Sequence, residues 1–595
     1  MSSLTTRGNS LTQQEKVLYA VLIVAGMLAL IYSVLWIGNV RAGEPTEGLA
    51  LNFALGRSPW TPEHTTVVLV LAAVVAVAWP VLWWADRRMF GPRKPVTRAA
   101  RYFASPWKAR KLTWSWVCKD IKRKDGGVYK PFSLGYLSRT TVRIYIGPED
   151  TIVIVTGPRQ NKSTSLANPA IVDAPGAVLS TSNKPDPVYD TLKYRAKGGV
   201  YIFDPQNLYA GDVPTPIYWD MLSYIRNAAD VHKIEKASTL AHRILFAAGA
   251  MSSDDKHWGN SAKNIMAAML LAATISNRPV TDVYRWILAP SDSEPVRILN
   301  ADGRFPMIAR TLDEYAHHPG DQRGGEYGTA QTALSFLSYD SVIPWITPGP
   351  GRTEFDPEVM VAGGKPTLYV LSQEGEGSTG PLTAALTIAV YEAADRAAMA
   401  NGGRLPVPFD FVLDEVANVA PWEALPELMT HMGSKGIRPW LFFQNYSQGK
   451  RLWGEDRMKV LLSVCGIFIT GGNIKDDGFH RAVMDMLPSY SRRTVTESTG
   501  RNGGGQSISE TDDKVLDVSD LRMLPKEYSL MFAANTAPVI LRHIPMWRRG
   551  YRKPKTAPAV PATSAPVFHR EHPQPSLAPR PRSSGWDTTL TVEGD

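Results

Sequence analysis

FDFVLDEVAN, residues 409–418, is the stretch on which the reading of the fold turns. The run FDFVL has the length and character of a strand buried on both faces of a parallel sheet. It leads directly into two adjacent carboxylates, Asp414 and Glu415. Carboxylates at the end of such a strand suit magnesium binding (Asp414) and the orientation or deprotonation of an attacking water (Glu415) in phosphoryl transfer. Upstream, IVIVTGPRQNKSTS at 152–165 is the one place where a β-branched run feeds Gly, Lys and Ser/Thr. A phosphate loop needs backbone N–H groups converging at a helix N-terminus, a Lys for the terminal phosphates and a hydroxyl for the metal. Gly157, Lys162 and Ser163 are residues of those types. The usual G-x-x-x-x-G-K-[ST] spacing is not met, since Thr156 stands at the first glycine and Asn161 at the second. Asn is the non-glycine residue that best tolerates positive φ, which leaves the backbone path open to it.

Working outward, apolar runs at 151–155, 177–180, 200–203, 367–371, 409–413, 440–443 and 466–470 alternate with helical stretches. This pattern predicts an α/β domain with a mainly parallel, doubly wound sheet and its ligand beyond the carboxyl ends of the strands. Gln444 follows one of these runs, either to sense a terminal phosphate or as a plain polar cap. Arg438, in GSKGIRP, precedes the same run, either as an arginine finger acting across a subunit interface or as a structural or solvent-facing residue. Residues 224–345 lack strong β runs and read as an all-α insertion. The Ser-, Thr-, Asn- and Gly-rich stretch 497–513 reads as a mobile loop or an exposed hairpin tip. From Lys555 the chain is rich in Pro, Ala and Ser and reads as disordered.

A chain of 595 residues exceeds what one growing core accommodates, so several domains are expected. The formal net charge of +9 implies an anionic partner, nucleic acid or lipid. Between Arg87 and Lys124, 13 basic residues stand against Asp120 alone, so this segment exceeds the excess of the whole chain. The two cysteines, Cys118 and Cys465, are far apart and lack ligand companions, which speaks against a disulfide framework or a zinc site.

Residues 17–40 and 65–85 contain no Asp, Glu, Lys or Arg and are long enough to cross a bilayer as helices. The first is long for a signal peptide and lacks a small-x-small cleavage site. The second could be a buried soluble helix, but its Trp79, Trp83 and Trp84 followed by Arg87 and Arg88 resemble an interfacial belt with a positive-inside stop. Two transmembrane helices, an external loop at 41–64 and cytoplasmic termini (1–16 at the N-terminal side) follow as expectations.

GPRQNKSTSLANPAIVDAPGAVLSTSNKPD, VYIFDPQN, HWGNSAKNIMAAMLLAA, VLDEVANVAPWEALPELMTHMGSKGIRPWLFFQNYSQGKRLWG and ITGGNIKDD together resemble the type IV coupling proteins of conjugation systems, TraD/TraG-like, of the actinobacterial type. The similarity runs from about Arg143 to Trp547. It implies a P-loop NTPase (RecA-like) sheet split into 142–223 and 346–554 around the insertion 224–345, with a basic juxtamembrane segment at 86–141 and the disordered tail at 555–595. It places the phosphate loop on Gly157, Pro158, Arg159, Gln160, Asn161, Lys162, Ser163 and Thr164. The magnesium ligands would be Ser163 and Asp414, and the catalytic residues Glu415 and Gln444. Trp258 falls in the family's W-x-x-x-A pattern. ATP and Mg2+ are the implied cofactors. Single-stranded DNA with its relaxase, type IV secretion channel proteins, the cell membrane and a homohexamer are the implied partners and setting. The function implied is an ATPase that drives the relaxase-bound strand into a conjugative channel. A weakly hydrolysing substrate receptor and an FtsK-like double-strand DNA translocase are the alternatives. Asn161, where relatives have Gly, bears on turnover.

Overall fold

The computed structural model describes residues 32–43, 46, 60–90, 99–213, 215–251, 256–375, 377–500 and 503–551. Its fifteen strands in chain order are β1 (Ser133–Leu137), β2 (Arg143–Tyr145), β3 (Ile152–Val155), β4 (Val178–Ser182), β5 (Val200–Phe203), β6 (Ile217–Tyr218), β7 (Thr353–Glu354), β8 (Thr367–Leu371), β9 (Phe409–Asp414), β10 (Ile437–Phe443), β11 (Ile467–Thr470), β12 (Ser489–Gly500), β13 (Gly503–Lys514), β14 (Tyr528–Ala533) and β15 (Val539–His543). Eleven of them form one sheet in the order β2-β1-β15-β14-β11-β3-β10-β9-β4-β8-β5. From β11 to β5 every neighbouring pair is parallel, and the β2-β1-β15-β14 flank is antiparallel, as is its join to β11.

The parallel strands are apolar because both faces are covered. In β3, Val153 and Val155 belong to one core cluster while Ile152 and Ile154 belong to the other, as the period of two requires. All four side chains are fully buried, each contributing roughly 1.5–3 kcal/mol on transfer from water. The mixed α/β class with a parallel-dominated sheet agrees with the sequence reading. The sheet begins at Ser133, however, inside the segment 86–141 read as basic juxtamembrane chain. That segment folds onto the body through buried Phe103, Ala109, Leu112, Val117 and Ile121, and Arg404 Nε holds Asp125 Oδ1 at 2.6 Å.

Between β6 and β7 the described elements are helical. The 20-residue helix Lys256–Ile275 lies at their centre, its residues 265–273 buried. Trp258 packs within this helical group, and a Cβ on Gly325 would lie 3.1 Å from its ring. The stretch 497–513 belongs to a regular hairpin, β12 against β13, with residues 501–502 outside the described ones. Its Thr, Ser, Val and Ile alternation suits extended backbone.

The expected span 65–85 falls within the helix Pro62–Phe90, and residues 32–42 are helical. Among the described residues no helix is long and apolar enough to cross a membrane, so neither expected span gains support. Residues 1–31, which hold most of the first span, and the expected tail 555–595 lie outside the described residues, as do the side chains of 81–90.

Candidate functional site

Strands β3, β10, β9 and β4 lie side by side, and their carboxyl ends deliver the predicted residues to one place. The chain after β3 turns at Pro158–Lys162 and enters the helical stretch 163–173, whose first segment, Ser163–Ala167, winds as a π turn. Ser165 N–H donates to Asn161 O at 3.0 Å, so the carbonyl of Asn161 starts that helix. Arg159 and Asn161 both take left-handed backbone, φ 62° and 60°. Asn161 therefore follows the path for which glycine is the usual choice. Arg159 is a residue type that rarely adopts this backbone.

A cavity of about 430 Å³ opens here, lined by residues 158–164 on one side and by Asp414, Glu415 and Gln444 on the other. Lys162 Nζ bridges both carboxylates, 2.9 Å from Asp414 Oδ1 and 2.9 Å from Glu415 Oε1. Gln444 Nε2 donates to the same Glu415 Oε1. Glu415 itself is buried and left-handed, φ 54° and ψ 43°, a strained state for a residue with a long side chain. Its Oε2 is buried and accepts no hydrogen bond, and neither does Gln160 Oε1 nearby. Burial raises the pKa of the Asp414 carboxyl above its ordinary value and Glu415 adds to this, while Lys162 opposes it. Burial also works against the Lys162 ammonium, but the two carboxylates outweigh it and hold its pKa above the usual lysine value.

The expected residues from Pro158 to Thr164, with Asp414, Glu415 and Gln444, thus line one cavity. Gly157 differs. Its N–H donates to Gly472 O at 3.0 Å, and it does not line the cavity. A Cβ there would sit 2.0 Å from the carbonyl oxygen of Asn473, so close packing against the chain after β11 requires glycine at this position. Arg438 also resolves to one of its two readings. It is fully buried at the opposite end of β10, with Nε 2.9 Å and Nη2 2.6 Å from the oxygens of Asp410. That bidentate pair is structural and leaves no guanidinium for a neighbouring subunit.

Sequence reasoning missed the wall formed by β4. Ser182, Asn183, Lys184 and Asp186 line the cavity, and Thr181 Oγ1 donates to Asp414 O at 3.0 Å, fixing the acidic strand end. The signal was available, because the apolar run of β4 ends in the polar STSNKPD beside the same crevice.

The donor set fits a phosphorylated nucleotide and magnesium. The cavity offers the ammonium groups of Lys162 and Lys184, the Arg159 guanidinium, helix-start N–H groups, the Ser163 hydroxyl and a carboxylate oxygen without a donor. Among the described residues no cluster of three or more His, Cys, Asp or Glu could hold a metal. A magnesium held by Ser163 and Asp414 would complete its shell with phosphate oxygens and water, as this ion commonly does.

Residues 408–526 match the family described as the TraM recognition site of TraD and TraG. Over that stretch the chain carries the TraD/TraG module that the sequence resembles. Among solved structures, the unbound bacterial conjugative coupling protein TrwBdeltaN70 is similar at 14% identity and TM-score 0.47, covering 66% of this chain and 84% of its own. TrwB in complex with the non-hydrolysable ATP analogue ADPNP is similar at 14% identity and TM-score 0.46, covering 66% and 85%. VirB4 of Thermoanaerobacter pseudethanolicus is similar at 10% identity and TM-score 0.39, covering 69% and 96%. At these values the likeness says nothing of activity. No curated protein matches by sequence.

Proposed function

We propose that this chain, with its TraD/TraG module, is a membrane-anchored ATPase coupling protein that moves relaxase-bound single-stranded DNA toward a conjugative type IV secretion channel. The observation that carries the ATPase reading is Lys162 bridging Asp414 and Glu415 across a cavity walled by the 158–164 loop. Lys162 neutralises the two acids in this arrangement and would turn to the terminal phosphates when a nucleotide enters. Ser163 and Asp414 would hold Mg2+, which supplies charge neutralisation on the phosphates. Glu415, held by Gln444 at one oxygen, keeps its other oxygen free to accept a proton from water. Gln444 is thus a positioning residue for Glu415 in this reading.

The membrane anchor at 17–40 and 65–85, the homohexamer and the channel partners complete the proposal. The anchor rests on the sequence, in which residues 17–40 and 65–85 carry no Asp, Glu, Lys or Arg. A weakly hydrolysing receptor is the second reading, and it rests on the Asn161 side chain standing in the phosphate loop. ATP turnover by the full chain in detergent, with and without a single-stranded oligonucleotide, tests the proposal. DNA-stimulated hydrolysis that disappears in Glu415→Gln supports the motor. Nucleotide binding with no turnover in either condition would leave the receptor.

A further inference from the structure

The β2 edge of the sheet carries a second cavity, of about 620 Å³, whose lining combines aromatic rings with two guanidinium groups and contains no carboxylate. Tyr136 on β1 lies beneath both cations, the Arg143 guanidinium 5.4 Å and that of Arg542 5.1 Å from its ring centroid. Arg143 Nε also donates to Tyr136 Oη at 3.3 Å. Trp114 packs edge-on against Tyr145 at 5.4 Å on another wall. The chemistry of this lining suits a phosphate attached to an apolar or flat body.

The chain leading into this cavity adds a second observation. Trp107, Trp114 and Trp116 are 72%, 46% and 47% exposed within ten residues of one another. Such rings are usually buried, or sit where an apolar phase meets water. Lys108, Lys111 and Lys119 in the same stretch are exposed, Arg110 stacks 4.1 Å over Trp107, and Asp120, the acid of this stretch, is paired with Arg123. The patch is fixed to the body, since Ala104 N–H donates to Pro538 O at 2.9 Å. It also stays within reach of the 62–90 helix, because the chain from Phe90 to Ala99 extends no more than about 30 Å.

We infer that this face docks on the inner membrane surface, with exposed tryptophans of the 107–116 stretch at headgroup level and an anionic lipid phosphate held between Arg143 and Arg542. The inference takes its geometry from the membrane-anchor reading. Exposed Trp beside Lys and Arg is the composition of a membrane interface, and an anionic leaflet attracts each cation near it. Docking would fix the orientation of the motor relative to the bilayer. The proximity to the helix favours lipid over single-stranded DNA, which could stack on the same rings.

The test uses the full chain reconstituted in nanodiscs of phosphatidylcholine alone or with phosphatidylglycerol, read by amide hydrogen exchange. Incorporation into discs reports on the anchor, and protection of residues 105–118 reports on docking. Anionic discs should slow exchange there relative to neutral discs. Arg143→Gln with Arg542→Gln should weaken that protection roughly tenfold, and Trp116→Ala, at an exposed site, should also reduce it. Equal protection in both lipids, or protection by an oligonucleotide in neutral discs and not by anionic lipid, overturns the inference. If the chain does not enter discs the anchor reading fails, and the same exchange measurement with preformed phosphatidylglycerol vesicles decides the docking, absence of protection overturning it.

Discussion

The two ends of β9 hold acids in equally buried surroundings and treat them in opposite ways. At the amino end Asp410 accepts from Arg438 Nε at 2.9 Å, Arg438 Nη2 at 2.6 Å and Trp440 Nε1 at 3.0 Å. At the carboxyl end Asp414 and Glu415 share one lysine, and Glu415 keeps a buried oxygen with no donor. The first acid is satisfied from within the sheet, by a guanidinium on the neighbouring strand in register with it. The second pair is incomplete and faces a cavity. Incomplete satisfaction together with the left-handed backbone at Glu415 is the mark of a site that expects a ligand, and it is tolerated because the rest of the sheet is well packed.

Breaking the satisfied end should have the largest effect. Arg438→Ala strands the Asp410 carboxylate in the core and is expected to cost about 3–5 kcal/mol of stability, read from denaturant unfolding. At the open end the stability cost should be absent and the loss chemical. Glu415→Gln should lower ATP hydrolysis by about 10²-fold or more while nucleotide affinity and Tm hold, because the amide keeps the contact with Lys162 and loses the basic oxygen. Parental turnover in that variant would remove Glu415 from the chemistry. Asp414 gives a smaller, pH-dependent contrast. Its folded pKa is raised, so its contribution to stability is fully present below the ordinary value of 3.8 and is lost as pH rises through the folded value. Asp414→Asn should therefore flatten the pH dependence of unfolding on the acid side, whereas retention of the parental slope would assign it to another group. Asn161→Gly should have the smallest effect, tightening nucleotide binding by a few-fold as the left-handed strain of less than about 1 kcal/mol is relieved. Weaker binding in that variant would show that the Asn side chain makes a contact of its own.

The parallel strands were legible because burial on both faces writes itself as a continuous apolar run, as IVIV at 152–155 and VYIF at 200–203 illustrate. The antiparallel flank was not, because SLGYL at 133–137 and RIY at 143–145 are short and mix polar with apolar residues, and the pairing of SLGYL with VILRH at 539–543 joins distant parts of the chain. At the site, Lys162, Asp414 and Glu415 could be found from motif position alone. Gly157 stands off the cavity, and a glycine that packs against a carbonyl and one that meets a phosphate look alike in sequence. Asp410 stands inside FDFVL, where its apolar neighbours mask it. A mid-strand acid in a run buried on both faces demands a cation, and Arg438 was its available partner.

The central claim is that the open end of β9 and the 158–164 loop form a nucleotide site with Lys162 as its cation. Direct titration of a fluorescent ATP analogue with Mg2+ onto the full chain, the Lys162→Ala variant and the Glu415→Gln variant tests it. The account predicts saturable binding by the parent and by Glu415→Gln, and an affinity at least about tenfold weaker in Lys162→Ala, the loss of one strong charge-assisted contact. Equal affinity in the parent and in Lys162→Ala would contradict it.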